Sequence, residues 1–152
     1  MTVEPYDEPE IEGKDIIIRR VNPTQHVVPD ENTGGRRTSS KLFNPSSEPK
    51  GKGGMSVDIL KLIAEAGLDA EEFVTTPVYT GSVCFKAEAA RMAGLRIGYD
   101  PIKDVAGVED NPYHGEVWGP NDRPNRFTRA QKKALVDASE WFVKLPGVEI
   151  KL

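Results

Sequence analysis

The chain reads as an α+β domain: a compact unit with a small mixed or antiparallel sheet, packed by about three helices and joined by long Pro/Gly-rich loops. Three observations carry that reading. Runs with strand character, Ile16 to Val21, Leu95 to Tyr99 and Glu116 to Trp118, stand far apart in the sequence. Between and after them lie three stretches with helical spacing and capping residues, too few alternations for a doubly wound parallel sheet. Finally, 14 glycines and 12 prolines in 152 residues exceed the ordinary share, so much of the backbone must be turn and loop. A chain of this length buries one core without staples, and the organisation read is an acidic tail over 1–15 followed by a single domain over 16–152.

In the tail, Glu4, Asp7, Glu8, Glu10, Glu12 and Asp15 face only Lys14. Such a segment has too little apolar surface to offset the entropy of ordering. It is expected to order only where a partner chain or a basic groove of its own domain holds it.

Ile16 to Val21 is a buried strand whose Arg19 and Arg20 point to opposite faces, because side chains alternate along a strand. Asn22-Pro23 closes it. From there to Gly54 the chain is irregular, with Gln25 to Val28 and Ser40 to Phe43 as short candidate strands. Its cations Arg36, Arg37, Lys41, Lys50 and Lys52 outnumber Glu48, which suits a solvated loop paired with the acidic tail. Ser56 is placed to cap a helix over Val57 to Ala66 that ends at Gly67. Asp69 caps a short turn through Phe73, and Thr75 to Tyr79 is a candidate edge strand. Ser82 is placed to cap a second helix over Val83 to Ala93, stopped by Gly94. Thr128 and Gln131 form a capping box for a third, whose Ala134, Leu135, Ala138, Trp141, Phe142 and Leu145 recur at helical spacing to Pro146.

Composition excludes some classes. Cys84 is the sole cysteine, so no intramolecular disulfide forms, and the first residues lack the build of a secretory signal. No apolar run nears the roughly 18 residues that span a bilayer. The expected location is therefore the cytoplasm, with no membrane partner. Zinc finds no suitable spacing among His26, His114 and Cys84, and no metal is expected.

Candidate chemistry gathers in four places. Asn111-Pro112-Tyr113-His114-Gly115-Glu116-Val117-Trp118-Gly119 brings an imidazole, a carboxylate, a phenol and an indole together, with His114 and Glu116 on one face of a strand. Lys50-Gly51-Lys52-Gly53-Gly54-Met55-Ser56 leads into the expected helix, and with Arg36 and Arg37 it is a candidate anion site, since free amides at a helix start attract anions. It is not a P-loop, because no Gly-Lys-Ser/Thr closes it. Arg123, Arg126, Phe127, Arg129, Lys132 and Lys133 suit nucleic acid, cations for phosphates and Phe127 for stacking. Phe127 equally suits a hydrophobic staple before the Thr128 cap.

The fourth arrangement is long in range: Arg19 or Arg20 ending the first strand, Ser39 and Ser40 after a loop, and Glu116 on a late strand. In layout this resembles the ADP-ribosyltransferase group. The resemblance implies NAD as cofactor, held by the arginine and serines, with Glu116 stabilising ribose charge as nicotinamide leaves. His114 stands where that group often has an acid or amide, a departure that bears on acceptor activation.

With no complete catalytic motif, the leading expectation is a noncatalytic protein-interaction subunit of a cytosolic assembly of bacterial type, its partner another protein or a second copy. It needs no cofactor. The alternatives are the NAD-using enzyme built on Arg19, Arg20, Ser39, Ser40, His114 and Glu116, and a nucleic-acid-binding module.

Overall fold

A computed structural model describes residues 3–46 and 53–152. In chain order the elements are β1 (Ile16–Val21), α1 (Pro23–His26), β2 (Val27–Pro29), β3 (Arg36–Thr38), a 3-10 turn (Ser40–Phe43), β4 (Met55–Ile59), α2 (Leu60–Glu65), α3 (Ala70–Val74), β5 (Gly81–Lys86), α4 (Ala87–Met92), β6 (Arg96–Tyr99), β7 (His114–Trp118), α5 (Arg129–Ala138), β8 (Glu140–Val143) and β9 (Val148–Glu149). They form one α+β unit. A six-stranded sheet runs β6-β7-β4-β1-β5-β8, antiparallel throughout, and a three-stranded sheet runs β2-β3-β9.

β1 lies centrally because Ile17, Ile18 and Val21 are wholly buried, so both faces of the strand are covered. One face holds the main core, where Ile17, Val57, Ile59, Val83 and Phe85 meet Ala87 and Ala90 of α4 and Leu135 of α5. On the other face, Ile18 and Cys84 pack with Ile63 of α2 and Val74 of α3. Register places Asp58 opposite His114 and Ser56 opposite Glu116, and Ile18 opposite Asp58, so these polar side chains share the second face. The small sheet closes the remaining end, tied by Thr38, whose hydroxyl donates to Lys151 O (2.9 Å) and accepts from Lys151 N (3.1 Å).

Strands β1, β6 and β7 fall where expected, as do the Asp69 cap of α3 and the Thr128–Gln131 capping box of α5. Among the described residues five helices stand where three were expected, and the three are shorter. The supposed helix from Val57 begins as β4: Met55, Val57 and Ile59 turn to the core at period two, and the helix starts only at Leu60. Ser56 is therefore a strand residue and caps nothing. Likewise Ser82 lies within β5, a strand buried on both faces that runs directly into α4. The long C-terminal helix stops at Ala138, where Ser139 turns extended (φ −87, ψ 147) and the chain returns as β8. Each miss has one cause: strand and helix abut with no glycine or proline between them, so the apolar residues of one extend the pattern of the other.

The short pieces differ too. Residues 25–28 divide between α1, begun by Pro23 and capped by the Asn22 side chain, and β2. Ser40–Phe43 is a 3-10 turn capped by Ser39, not a strand. Residues 75–79 make a tight turn instead of an edge strand, with Thr76 N donating to Tyr79 O (3.0 Å).

Candidate functional site

The polar face of the sheet opens into a cleft of about 310 Å³ between the end of β1, strand β4, α3 and the loop before β7. Its floor is built on Asp58, whose side chain is buried in a strand that otherwise feeds the core. A buried carboxylate needs partners, and it has two. Arg20 Nε donates to Oδ2 (2.8 Å) and Arg20 Nη2 to Oδ1 (3.1 Å), a bidentate pair, while Asn111 Nδ2 donates to Oδ1 (2.8 Å). The Arg20 guanidinium also lies over the Phe73 ring, 5.5 Å from its centroid, and Phe73 meets Tyr113 edge-on at 5.2 Å. Asn111 is fixed in turn by backbone bonds to Ile102 in both directions (2.9 and 2.8 Å).

Arg19 is held differently. The β1–β4 ladder is confined to Ile17–Ile59 and Ile18–Asp58, and where it ends the Arg19 side chain takes the place of a neighbouring strand. Its Nε donates to Leu42 O (2.8 Å) and its Nη1 to Ser56 O (2.9 Å). Carbonyls solvate a cation without neutralising it. Burial lowers the Arg19 pKa to about 10, against the opposing pull of Tyr79 and Asp58, which leaves the group charged at neutral pH. The same charge reaches His26, whose pKa falls to about 4, first through burial and then through Arg19. His26 is accordingly neutral, its Nδ1 accepting from Asn22 N (2.9 Å) and its proton on Nε2.

His114 has the opposite tautomer. Its Nδ1 lies 2.6 Å from Asp100 O, and a carbonyl only accepts, so Nδ1 carries the proton and Nε2 of the neutral ring is the basic atom. The ring lines the cleft. Ser56, Thr76 and Tyr79 add hydroxyls, Phe73, Ile102 and Val108 add apolar wall, and Glu109 and Asp110 stand at the exposed rim.

The structure thus brings Arg19, Arg20 and His114 together. Glu116 lies on the same face two residues along β7, buried, with its Oε1 accepting from Gly54 N (3.3 Å), and outside the cleft lining. Ser39 and Ser40 line a separate hollow with Asp30 and Arg37. Their link to the cleft is indirect: Ser39 caps the turn whose Leu42 carbonyl holds Arg19.

Of the anion-site residues, Ser56 reaches the cleft, Arg36 donates to Pro146 O (3.1 Å) and Arg37 to Thr38 O (3.0 Å). Lys50 and Lys52 lie outside the described residues. No helix begins at Ser56, so no helix dipole serves that loop. In the basic segment Phe127 packs in the core, Arg123 sits 3.9 Å from Asp122, and Lys133 pairs with Asp137 at 3.1 Å. Arg126 and Arg129 are exposed and Lys132 is half-buried.

Asp58 and Asn111 are the site residues that sequence reading passed over. Asn111 reads as a turn initiator before Pro112, and Asp58 is hidden by the supposed helix. An acid flanked by Val57 and Ile59 in a strand is the signal that identifies it, once the period is read as two.

Among the described residues no group of three or more His, Cys, Asp or Glu is placed to hold a metal ion, and no helix is long and apolar enough to cross a membrane. No family model, curated protein or solved structure matches the chain.

Proposed function

We propose that this protein binds a compact, anion-bearing small molecule in the Arg19–Arg20–His114 cleft. One observation carries the reading: of two adjacent arginines lining the cleft, Arg20 is neutralised by Asp58, whereas Arg19 is bonded to carbonyls. A half-buried cation without a counter-charge in contact is costly to the protein alone, and an anionic group offsets that cost. The described bonds leave Arg19 Nη2 and Arg20 Nη1 for a ligand. At about 310 Å³ the cleft is at the small end of ligand sites, which run from ~300 to ~1,000 Å³. The apolar wall of Phe73, Ile102 and Val108 suits the ligand's body, and Nε2 of His114 supplies a proton acceptor should the ligand be turned over.

The test is thermal stabilisation and calorimetric binding with inorganic phosphate, succinate, adenosine monophosphate and NAD. Wild type is expected to gain stability with at least one of them, and Arg19→Gln to lose that gain while remaining folded. If none of the four binds, or Arg19→Gln binds equally, the reading falls. NAD belongs in the panel because Arg19, Arg20 and His114 meet in one place and its pyrophosphate presents the anionic oxygens that a pair of arginines binds.

A further inference from the structure

The charges around the cleft are divided by depth. Arg19, Arg20 and Asp58 belong to the sheet at its floor, where Asp58 is buried and neutralises Arg20. The other two carboxylates of the lining, Glu109 and Asp110, stand on the loop that forms one wall. That loop is closed at its base by the reciprocal backbone bonds of Ile102 and Asn111, and Asn111 Nδ2 donates to Asp58 at the floor (2.8 Å). Going back along the chain from Asn111, Asp110, Glu109 and Val108 are exposed, so the loop carries its two acids to the mouth. Asp104 N donates to Asp110 Oδ1 (3.0 Å), and neither rim carboxylate pairs with a cation among the described residues. The half-buried side chains of Phe73 and Ile102 line the same cleft.

On the footing that the cleft holds an anion, we infer that its ligand is a small zwitterion: an anionic head on Arg19 and Arg20, a short apolar body, and a primary ammonium at Glu109 and Asp110. Two arginines face three carboxylates in the lining. Once Asp58 has neutralised Arg20, one cationic charge at the floor is set against two anionic charges at the mouth. A simple anion is attracted by the first and repelled by the second, and a dianion charged at both ends is repelled more. An ammonium at the far end of the ligand turns that repulsion into attraction. The arginines at the floor supply affinity and the acids at the rim supply choice, because a site discriminates as much by what it repels as by what it holds. Solvent screens the exposed rim, so the preference it confers is moderate.

The test is calorimetric titration of the whole chain with butyl phosphate and with aminopropyl phosphate, chains of equal length that end in a methyl or an ammonium group. Pentanoate and γ-aminobutyrate repeat the comparison with a carboxylate head. The ammonium ligand of a pair is expected to bind about fivefold tighter. Glu109→Gln combined with Asp110→Asn, which keeps the Oδ1 acceptor for Asp104 N, should weaken the ammonium ligand by about that factor and leave the methyl ligand bound as tightly as before or more so. Glu109→Gln alone, an exposed change, should show about a twofold part of the effect. A methyl ligand that binds as tightly as its ammonium counterpart, or a preference that survives both variants, overturns the inference and leaves the anion site standing. Equal weakening of both ligands in the variants also overturns it, since that is the mark of a damaged loop and not of a lost charge. Binding of neither ligand in either pair removes the anion site itself, and the zwitterion with it.

Discussion

The two edges of the six-stranded sheet end in opposite ways. At β6 the chain covers its own edge: Glu8 N donates to Ile97 O (2.8 Å), Ile97 N to Asp7 Oδ1 (3.0 Å) and Tyr99 N to the Tyr6 hydroxyl (2.9 Å). The Tyr6 ring then lies over Gly98 and against Trp118 (5.9 Å between centroids), and Ile11 passes round the edge into the main core. Arg91 pairs with Asp7 (3.0 Å) and Lys61 Nζ donates to Glu10 O (3.3 Å), so this acidic segment meets its cations on α4 and α2, while Arg36 and Arg37 are engaged elsewhere. At β8 nothing comparable is found among the described residues. The difference shows what orders a segment with no core of its own. An edge strand supplies backbone partners, and one isoleucine, worth about 1.5–3 kcal/mol on full burial, supplies the anchor.

The largest test of that account is Ile11→Ala. Loss of a fully buried isoleucine should lower stability by about 3 kcal/mol, read from the denaturant midpoint. The Ile97 and Tyr99 amides should exchange faster while those of β8 stay unchanged. Unaltered exchange at Ile97 and Tyr99 would mean that the segment does not depend on its anchor.

Gly98→Ala should come next, at about 2 kcal/mol. A Cβ there would lie 2.5 Å from a Tyr6 ring carbon and 2.9 Å from Trp118, so either the tyrosine leaves or the sheet shifts. Tyr6 fluorescence and exchange at Tyr99 distinguish the two.

The smallest effect is expected with pH. Burial raises the Tyr6 pKa above its usual value, and Tyr99 is raised by burial and then by Glu10, Glu8 and Asp15 of the same segment. Both phenols favour the neutral form when folded. Their contribution is therefore complete below the unfolded value of about 10 and is lost as pH rises through the folded values. Alkaline titration should loosen the β6 edge before β8, and equal protection at both edges above that pH would count against the tyrosines' part.

Much of the fold was legible where local signals agree. Thr128 with Gln131 announces a helix, Asp69 announces a capped turn that the structure extends to a helix, and Ile16 to Val21 has no competing reading. Of the site, Arg19, Arg20 and His114 were legible as residue types at strand ends. Their relation was not, because Arg20 and Asp58 meet across paired strands and Arg19 is held by carbonyls that any residue could offer. Glu116 shows the same limit: its place two residues beyond His114 is a matter of strand period, but its bond to Gly54 N depends on how β4 enters the sheet.

By itself the sequence determined the α+β class, the central strand, the caps and the alternation that sends Arg19 and Arg20 to different surroundings, since these follow from backbone sterics and side-chain period within a few residues. Tertiary structure decided where strand passes into helix at Ile59 and Lys86, which arginine is neutralised, and that the acidic segment lies on β6. Those depend on burial and on partners distant in the chain, and no local propensity encodes them.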